Sequence, residues 1–386
     1  MYLYNGIIKK QSHLGRNKVT SISFTGDIAF SKYFKDSWKQ DFLDEQITDF
    51  LKDSNHVVAN VEAPLTSQSV SSTRELNHFC DVQAGAWFKN IYADIWTLAH
   101  NHILDCTEQG MLDTIKTANQ NGAITIGAGS NVDQAQKPAI IQEDGGIGIL
   151  AVTYKRGEFI RATSNSAGCL LFDETKRIKQ AIKEIKGKNK WCIVIAHGGD
   201  EFAPLPMKYI RKLYKNFLKM GADVVIGHHP HVVQGYEKVG KKMIFYSLGN
   251  FVFDTDYQRQ QRHSEYGILL KLAFDNENFT WDYIATKVNR ENQMVEKTEA
   301  PTIFREITSK SYNLLWPIAA RVTLENFKRA KSFAIPKTRN YNSLQWFNFY
   351  KEKTCLGHAI CTYFGKYISY IPLWKKADKE IKDYLL

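Results

Sequence analysis

The chain has 386 residues, of which 44% are hydrophobic and 24% charged, and this balance excludes a disordered or collagen-like protein. It carries 51 basic and 40 acidic residues, for a formal net charge of +11. No stretch approaches the roughly 20 apolar residues of a membrane span, and the N-terminus lacks the apolar core of a secretion signal. The six cysteines contain no CxxC pair, which is typical of free thiols. We therefore expect a cytoplasmic protein with one or two domains.

From about Val19 the chain alternates strand-like and helix-like segments, as α/β proteins do. Residues 20–25 alternate between apolar and small polar side chains and predict a half-buried strand that ends at Gly26-Asp27. Apolar residues at helical spacing predict a helix within residues 38–51. Further strands are predicted at residues 56–61, 94–99, 123–126, 146–152, 191–196, 222–226, 243–246, 266–274 and 279–287, and further helices at 107–121 and 207–220. The last two strands are expected to pair antiparallel, which makes the sheet arrangement mixed.

The pattern changes after about residue 290. Residues 305–331 predict a helical stretch broken at Pro317, and residues 341–374 contain ten aromatic side chains. The last 96 residues also hold 16 basic and 9 acidic residues, against 35 and 31 in the first 290. We accordingly divide the chain into an N-terminal segment (1–18), a main α/β domain (19–290) and a basic, aromatic, mainly helical extension (291–386).

The basic extension favours an acidic partner, for which a membrane surface, a polyanion and nucleic acid are the candidates, whereas the plainer interpretation is a solvated basic surface. Ile360, Phe364, Tyr367 and Ile371 recur at helical spacing near lysines. This pattern predicts either an interfacial helix that makes peripheral membrane contact or a helix packed on the main domain. Nucleic acid is the least favoured partner, although basic and aromatic residues do interleave in the extension.

Polar side chains cluster where the predicted strands end. They are Asp27, Asn60, Glu62, His100, Asn101, His102, Asp105, His197, His228, His229 and His231. In an α/β protein the loops beyond the carboxyl ends of the strands form the usual binding crevice, so we expect these residues to converge there. The histidines at 13, 56, 78, 263 and 358 have no such context and are interpreted as structural.

The residue types in this cluster suit a divalent metal. Carboxylate, amide oxygen and imidazole are ligands for Mn, Fe or Zn, and such a metal would generate a hydroxide nucleophile at neutral pH. Taken singly, Asp27 is also typical of a turn, Glu62 of a capping residue and His197 of a hydrogen-bonded histidine. Their shared placement favours the metal interpretation. His229 and His231 would face one side of an extended segment, or reach neighbouring metals from a tight turn at Pro230.

The same residues lie in motifs of a known family. The motifs are TGDIAF, NVEAPLT, LAHNHILD, GMLDTI, GAGSN, IAHGGDEF, GADVVIGHHPHVVQGYE and IFYSLGNFVFD. From about residue 20 to 290 the chain resembles the CapA-type proteins of bacterial capsule and poly-gamma-glutamate synthesis, which are similar to calcineurin-like metallophosphatases. The resemblance implies an α/β sandwich of two mixed β-sheets flanked by helices.

The resemblance also implies roles for individual residues. It implies metal ligands at Asp27, Glu62, Asn101, His197, His229 and His231, with Glu62 in the bridging position. His102 corresponds to the histidine over the leaving group, whereas His228 has no counterpart. The first motif carries Ala29 where metallophosphatases usually place a histidine ligand. We therefore expect one firmly bound metal, held by Glu62 with Asn101, His197 and His229, and a second metal that is weak or absent.

The function implied is a metal-dependent hydrolase, most simply a phosphoesterase, in capsule or exopolymer biosynthesis. Its partner would be an anionic polymer or a phosphorylated precursor. His102 is the candidate general acid and Asp105 the residue that orients it, while Asn250 and Glu201 are candidate substrate contacts. Two alternatives remain open: a non-catalytic polymer-binding accessory protein, and a metal-dependent amide hydrolase acting on a glutamyl polymer.

Overall fold

The computed structural model of the protein describes residues 7–8, 19–67, 78–154, 160–313, 315–316, 319 and 322. The aromatic stretch and the predicted interfacial helix of the extension lie outside the described residues, as does most of the N-terminal segment. Among the residues that are described, no helix is long and apolar enough to cross a bilayer.

The elements alternate in chain order as expected for an α/β protein. The strands are β1 Ile7–Ile8, β2 Thr20–Ile28, β3 His56–Val61, β4 Ala93–Thr97, β5 Ile124–Ile126, β6 Ala128–Gly129, β7 Ala139–Ile141, β8 Ile147–Thr153, β9 Gly168–Cys169, β10 Trp191–His197, β11 Val224–His228, β12 Val233–Val239, β13 Lys242–Leu248, β14 Asn250–Val252, β15 Tyr266–Phe274, β16 Phe279–Asn289 and β17 Met294–Thr298. The α-helices are α1 Glu45–Lys52, α2 Thr107–Gln120, α3 Val132–Ala135, α4 Thr175–Lys188, α5 Lys208–Met220 and α6 Asp256–Arg259. Short 3₁₀ helices lie at Lys32–Phe34, Ser37–Lys39 and Val82–Lys89.

Two mixed sheets contain most of these strands. The first has seven strands in the order β1-β7-β8-β10-β11-β13-β12, with β8, β10, β11 and β13 parallel. The second has eight strands in the order β17-β16-β15-β2-β3-β4-β5, with β14 beside β2. In it β2 to β5 are parallel, whereas β15 to β17 are antiparallel. The predicted fold, two mixed sheets with flanking helices, is confirmed.

The main hydrophobic core lies between the sheets and beneath the helices of the seven-stranded sheet. Phe24 and Ile95 from one sheet and Ile149 and Ile195 from the other are fully buried in the same cluster. A second cluster fills the space between the outer face of the eight-stranded sheet and helices α1 and α2. Each fully buried aliphatic or aromatic side chain contributes roughly 1.5–3 kcal/mol, so these clusters are the main source of stability.

Two predicted elements differ from the structure. Strand β2 is buried on both faces instead of one, because its small polar residues find partners: Ser23 Oγ lies 2.7 Å from Ser54 Oγ. The helix predicted within residues 38–51 is wrong over its first half. Helix α1 begins only at Glu45, where the Asp44 side chain accepts a hydrogen bond from the Gln46 backbone N–H and caps the helix.

The chain beyond residue 290 continues the main sandwich before it leaves the described residues. Strand β17 extends the eight-stranded sheet, and Ile303, Phe304, Ile307 and Tyr312 are buried in the main core. The division into three parts stays a prediction. The four described cysteines, Cys80, Cys106, Cys169 and Cys192, are free and buried, as predicted for thiols.

Candidate metal centre

The six predicted ligands meet where parallel strands of both sheets end. Asp27 lies at the end of β2, and Glu62 directly follows β3. His197 ends β10 of the facing sheet, and the turn after β11 carries His229 and His231. All six, Asp27, Glu62, Asn101, His197, His229 and His231, are at most 4% exposed.

These side chains form two groups that share one carboxylate. Glu62, His197 and His229 form the first group, and Asp27, Glu62 and His231 form the second, each with its ligand atoms within 4.8 Å of one another. Glu62 Oε1 lies 3.6 Å from His197 Nε2 and 3.5 Å from His231 Nε2. Glu62 is therefore shared by the two groups, where the family resemblance implies a bridging ligand.

The first group is completed by an amide oxygen. Asn101 Oδ1 lies 2.9 Å from His197 Nε2, so the asparagine points into the same space. Burial, reinforced by the neighbouring His229, holds the pKa of His197 well below its usual range. The His197 ring is therefore neutral at physiological pH, which is the form that binds metals.

The second group is dominated by contacts of Asp27. Its Oδ1 accepts a hydrogen bond of 2.8 Å from Asn60 Nδ2 and lies 3.0 Å from His228 Nδ1. Its Oδ2 lies 3.2 Å from His231 Nδ1 and accepts a bond of 3.4 Å from the His229 backbone N–H. Burial alone would raise the pKa of Asp27, but the bonds from His228 and His231 outweigh it and hold that pKa well below its usual range. Asp27 is therefore an ionised, internally hydrogen-bonded carboxylate.

A strained turn separates the two later histidines. His229 has φ 94° and His231 has φ 56°, values that are uncommon for residues other than glycine. The turn is held by the Phe202 backbone N–H, which donates a 2.7 Å bond to the Pro230 carbonyl. Of the two arrangements that the sequence left open, the structure shows the tight turn, which directs one ring into each group.

His102 and Asp105 form a hydrogen-bonded pair beside the centre. His102 Nδ1 lies 2.6 Å from Asp105 Oδ2, which also accepts a 3.1 Å bond from the His78 backbone N–H. The His78 ring packs edge-on against His102 at 4.5 Å. Phe253 contacts both the His78 ring, at 5.3 Å, and the His231 ring, at 5.0 Å. His78, interpreted from sequence as structural, thus packs against His102, and Phe253 lies between His78 and His231.

The two predicted substrate contacts occupy different positions. Asn250 is fully buried: its Oδ1 lies 3.0 Å from His231 Nδ1, and its Nδ2 donates a 2.8 Å bond to the Ser264 carbonyl. Asn250 thus contacts the His231 side chain, and its role as a substrate contact stays a prediction. Glu201 is partly exposed at the rim and accepts a 2.6 Å bond from the Tyr257 hydroxyl.

The sequence alone did not indicate that His228 and Asn60 contact Asp27. Both contact the Asp27 carboxylate, a position that suits residues that orient a predicted ligand. Their signal was present, since each lies at the end of a strand next to a predicted ligand, but position alone did not separate orienting residues from ligands.

The donor set fits a divalent metal. Asp27 and Glu62 are both fully removed from solvent, and buried carboxylates are costly without a compensating positive charge. His197 Nδ1 is buried without a hydrogen-bond partner among the described residues. Oxygen and imidazole donors in this combination suit Mn, Fe or Zn, in keeping with the prediction.

Comparison with known proteins decides the family. The model of the family "Bacterial capsule synthesis protein PGA_cap" matches residues 21–255, which include every predicted metal ligand. The chain belongs to this family. The resemblance inferred from the sequence motifs is thereby confirmed.

Two relatives of this family member carry informative names. The PGA biosynthesis protein CapA of Bacillus subtilis (strain 168) is 30% identical over 316 residues, which cover 78% of this chain and 80% of the relative. The capsule biosynthesis protein CapA of Bacillus anthracis is 28% identical over 258 residues, which cover 63% of this chain and 62% of the relative. The similarity therefore extends over most of the described sandwich.

Solved structures are less similar. A Staphylococcus aureus protein described as a candidate 5'-nucleotidase matches with a TM-score of 0.46 and 14% sequence identity. The match covers 82% of this chain and 58% of that one. A similarity this weak says nothing about the activity of the family member described here.

Proposed function

We propose that this chain is a metal-dependent hydrolase of capsule or poly-gamma-glutamate-like polymer biosynthesis, and that the bond it cleaves is a phosphoester. The observation that supports this proposal is the sharing of Glu62 by two buried ligand groups, with the His102–Asp105 pair next to them. The names of the relatives supply the biosynthetic setting.

The residues present would hold the metals in two places. Glu62, Asn101, His197 and His229 would hold one metal, and Asp27, Glu62 and His231 the other. A bound divalent metal polarises the scissile group and lowers the pKa of water, which makes hydrolysis feasible at neutral pH.

We further propose that the two places differ in affinity. The second group lacks the ligand that a histidine at Ala29 would provide, and Ala29 is fully buried in the hydrophobic cluster. Both oxygens of Asp27 are already engaged by protein groups, so this carboxylate competes poorly as a ligand. We expect one firmly bound metal and one weak or absent.

His102 is proposed as the general acid. Because Asp105 occupies the Nδ1 side of the ring, the Nε2 atom is the one positioned to deliver a proton to the leaving oxygen. Asp105 keeps the ring in one orientation, and its own position is set by the His78 backbone N–H. The pair thus resembles an oriented acid, which general acid catalysis requires.

A second candidate function is polymer handling without turnover. The hydrogen-bonded state of Asp27 favours it, because a carboxylate committed to the protein weakens the second group. Hydrolysis of an amide within a glutamyl polymer would use the same centre and the same acid.

The test compares the wild type with His229→Ala. Both proteins are supplied with Mn²⁺ and assayed for metal content and for hydrolysis of an aryl phosphate and an aryl phosphodiester. Turnover that disappears in His229→Ala, at unchanged thermal stability, would support the proposal. Wild-type protein that binds metal but turns over neither substrate would contradict it and favour polymer handling.

A further inference from the structure

Helices α4 and α5 form a continuous outer layer on the seven-stranded sheet. Ile178 and Ile185 of α4 and Ile210 and Phe217 of α5 are buried against that sheet in the main core. The two helices also contact each other. Their opposite faces therefore point together towards solvent.

This outer layer is strongly basic. Helix α4 carries six basic residues and one acidic residue, and α5 carries five basic residues and no acidic one. Eight of these eleven basic side chains are exposed, and we call the exposed face of α4 and α5 the basic layer. The rest of the first 290 residues holds 24 basic and 30 acidic residues. The positive charge of the sandwich is thus concentrated on one face.

Protein carboxylates neutralise the inner edge of the basic layer, and Glu174 pairs with Arg177 at 3.6 Å at the start of α4. Glu237 pairs with Arg211 at 2.8 Å and Lys215 at 2.7 Å, and Asp223 pairs with Lys186 at 2.9 Å. The exposed lysines form no ion pair among the described residues, and four of them serve as probes below: Lys179, Lys183, Lys212 and Lys219. Their charge is available to a partner.

The two terminal segments that lie mostly outside the described residues do not complement the basic layer. Residues 1–18 contain four basic and no acidic residues, and residues 323–386 contain twelve basic and five acidic residues. A second copy that met the basic layer through the same face would bring like charges together, and like charges repel. The partner that this charge favours is therefore anionic.

We infer that the basic layer docks on an anionic phospholipid surface. The two adjacent helices are each about 20 Å long, so their lysines are spread over a two-dimensional surface. A bilayer can contact such a surface as a whole, whereas a single linear polyanion contacts only a line across it. Tyr209 is the one large hydrophobic side chain that α4 and α5 expose, so the contact is electrostatic and does not need insertion.

The course of the chain supports this docking. The Tyr312 hydroxyl donates a 2.9 Å bond to the Pro206 carbonyl, just before α5 begins, so the chain passes next to the basic layer as it leaves the described residues. The net positive charge of residues 323–386 would then add to the same contact. The loop that carries Glu201 and Phe202 at the metal centre leads directly into α5, so docking would hold the centre close to the bilayer.

The experiment measures vesicle binding of the full chain. Phosphatidylcholine vesicles with and without phosphatidylglycerol are compared at about 0.1 M salt, where the Debye length is about 10 Å. We expect binding only with phosphatidylglycerol. Combining Lys179→Gln, Lys183→Gln, Lys212→Gln and Lys219→Gln should lower the partition coefficient about 100-fold or more, since each lysine near the surface contributes about fivefold.

A matched control removes four exposed lysines from the elements around the other sheet. It combines Lys35→Gln, Lys52→Gln, Lys89→Gln and Lys116→Gln, none of which lies in the basic layer. The control has the same net charge as the first variant and should lose much less binding. Both variants keep residues 323–386, so their difference isolates the basic layer.

Three results would overturn the inference. One is equal loss of binding in the two variants, and another is binding that ignores phosphatidylglycerol. The third is binding to soluble poly-glutamate through the same lysines without vesicle binding, which would assign the basic layer to a polymer. Unchanged thermal unfolding of both variants shows that the comparison concerns folded protein.

Discussion

The metal centre and the basic layer use charge in opposite ways. At the metal centre, Asp27 and Glu62 are fully buried and lie against histidines, so unlike groups converge in a space without solvent. On the basic layer, charges of one sign stand exposed and most are unopposed within the protein. The metal centre lies where strands of both sheets end, whereas the basic layer covers the outer face of the seven-stranded sheet.

Buried and exposed charges serve different purposes in this protein. Buried groups of unlike charge interact strongly and hold fixed positions, as chemistry requires, whereas exposed charges of one sign are screened and favour association over a surface. Substitutions at the centre should therefore change turnover and metal binding. Substitutions under the basic layer should change stability or association and leave the chemistry intact.

The largest effect is expected where the two ligand groups meet. Glu62→Gln keeps the shape of the side chain but removes the shared negative charge, so hydrolysis should fall at least about 10³-fold, the equivalent of several kcal/mol of lost metal assistance. Steady-state kinetics checks this against Glu108→Gln, an exposed change on α2 that should be silent. Full activity in Glu62→Gln would contradict a role of the shared carboxylate in hydrolysis.

A smaller effect is expected for His102, which is proposed as the general acid and not as a metal ligand. His102→Ala should lower kcat on the order of 100-fold or more with little change in metal content. Asp105→Asn should act in the same direction but less, because it loosens the ring without removing it. Loss of metal in His102→Ala would show that His102 is a ligand instead.

Substitution of Asn250 tests whether the two ligand groups respond differently. Because its Oδ1 holds His231, Asn250→Ala should weaken the more weakly bound metal about 10-fold to 100-fold and spare the firm one. Calorimetric Mn²⁺ titration measures this, with the exposed Asn119→Ala as the matched control. Equal weakening of both metals would mean that Asn250 supports the whole site.

The smallest effect is expected beneath the basic layer. Burial alone would raise the pKa of Glu237, but bonds from Arg211, Lys215 and Tyr246 lower it below the usual 4.5. Glu237→Gln should cost about 2 kcal/mol of unfolding free energy at pH 7, the size expected for hydrogen bonds to a charged group.

Because the folded pKa of Glu237 is the lower one, the stability that it contributes is present above pH 4.5 and is lost as the pH falls through that lower value. Denaturant unfolding of both proteins across this range should show their difference shrinking in acid. A difference that grows in acid, or any loss of hydrolysis at pH 7, would contradict this assignment.

Much of the candidate site was predictable because its signal is local. Each ligand follows a short strand that its own sequence identifies, and the carboxyl ends of parallel strands meet at one edge. The contacts between segments that are far apart in the sequence could not be predicted. Asn250 lies beside Asp27 only because β14 pairs with β2, and β14 was not predicted. The contact between His228 and Asp27 likewise joins two sheets, which no local pattern reveals.

The basic layer was not predicted either, because it also combines segments that are separated in the sequence. Counting charge along the chain emphasises the last quarter, whereas folding gathers α4 and α5, which are separated by nineteen residues, onto one face. Helix α4 itself was not predicted, although Ile178, Ile182 and Ile185 recur at helical spacing among its lysines. Grouping charge by sheet face would have found the layer.

The number of metals held per chain tests most directly whether the two ligand groups differ in affinity. Purified wild-type protein is loaded with Mn²⁺, dialysed and analysed for metal by mass spectrometry, with protein concentration measured independently. The shared Glu62, the engaged Asp27 and the missing ligand at Ala29 predict one metal retained per chain and a second that is lost on dialysis. Two retained metals, or none, would contradict this account.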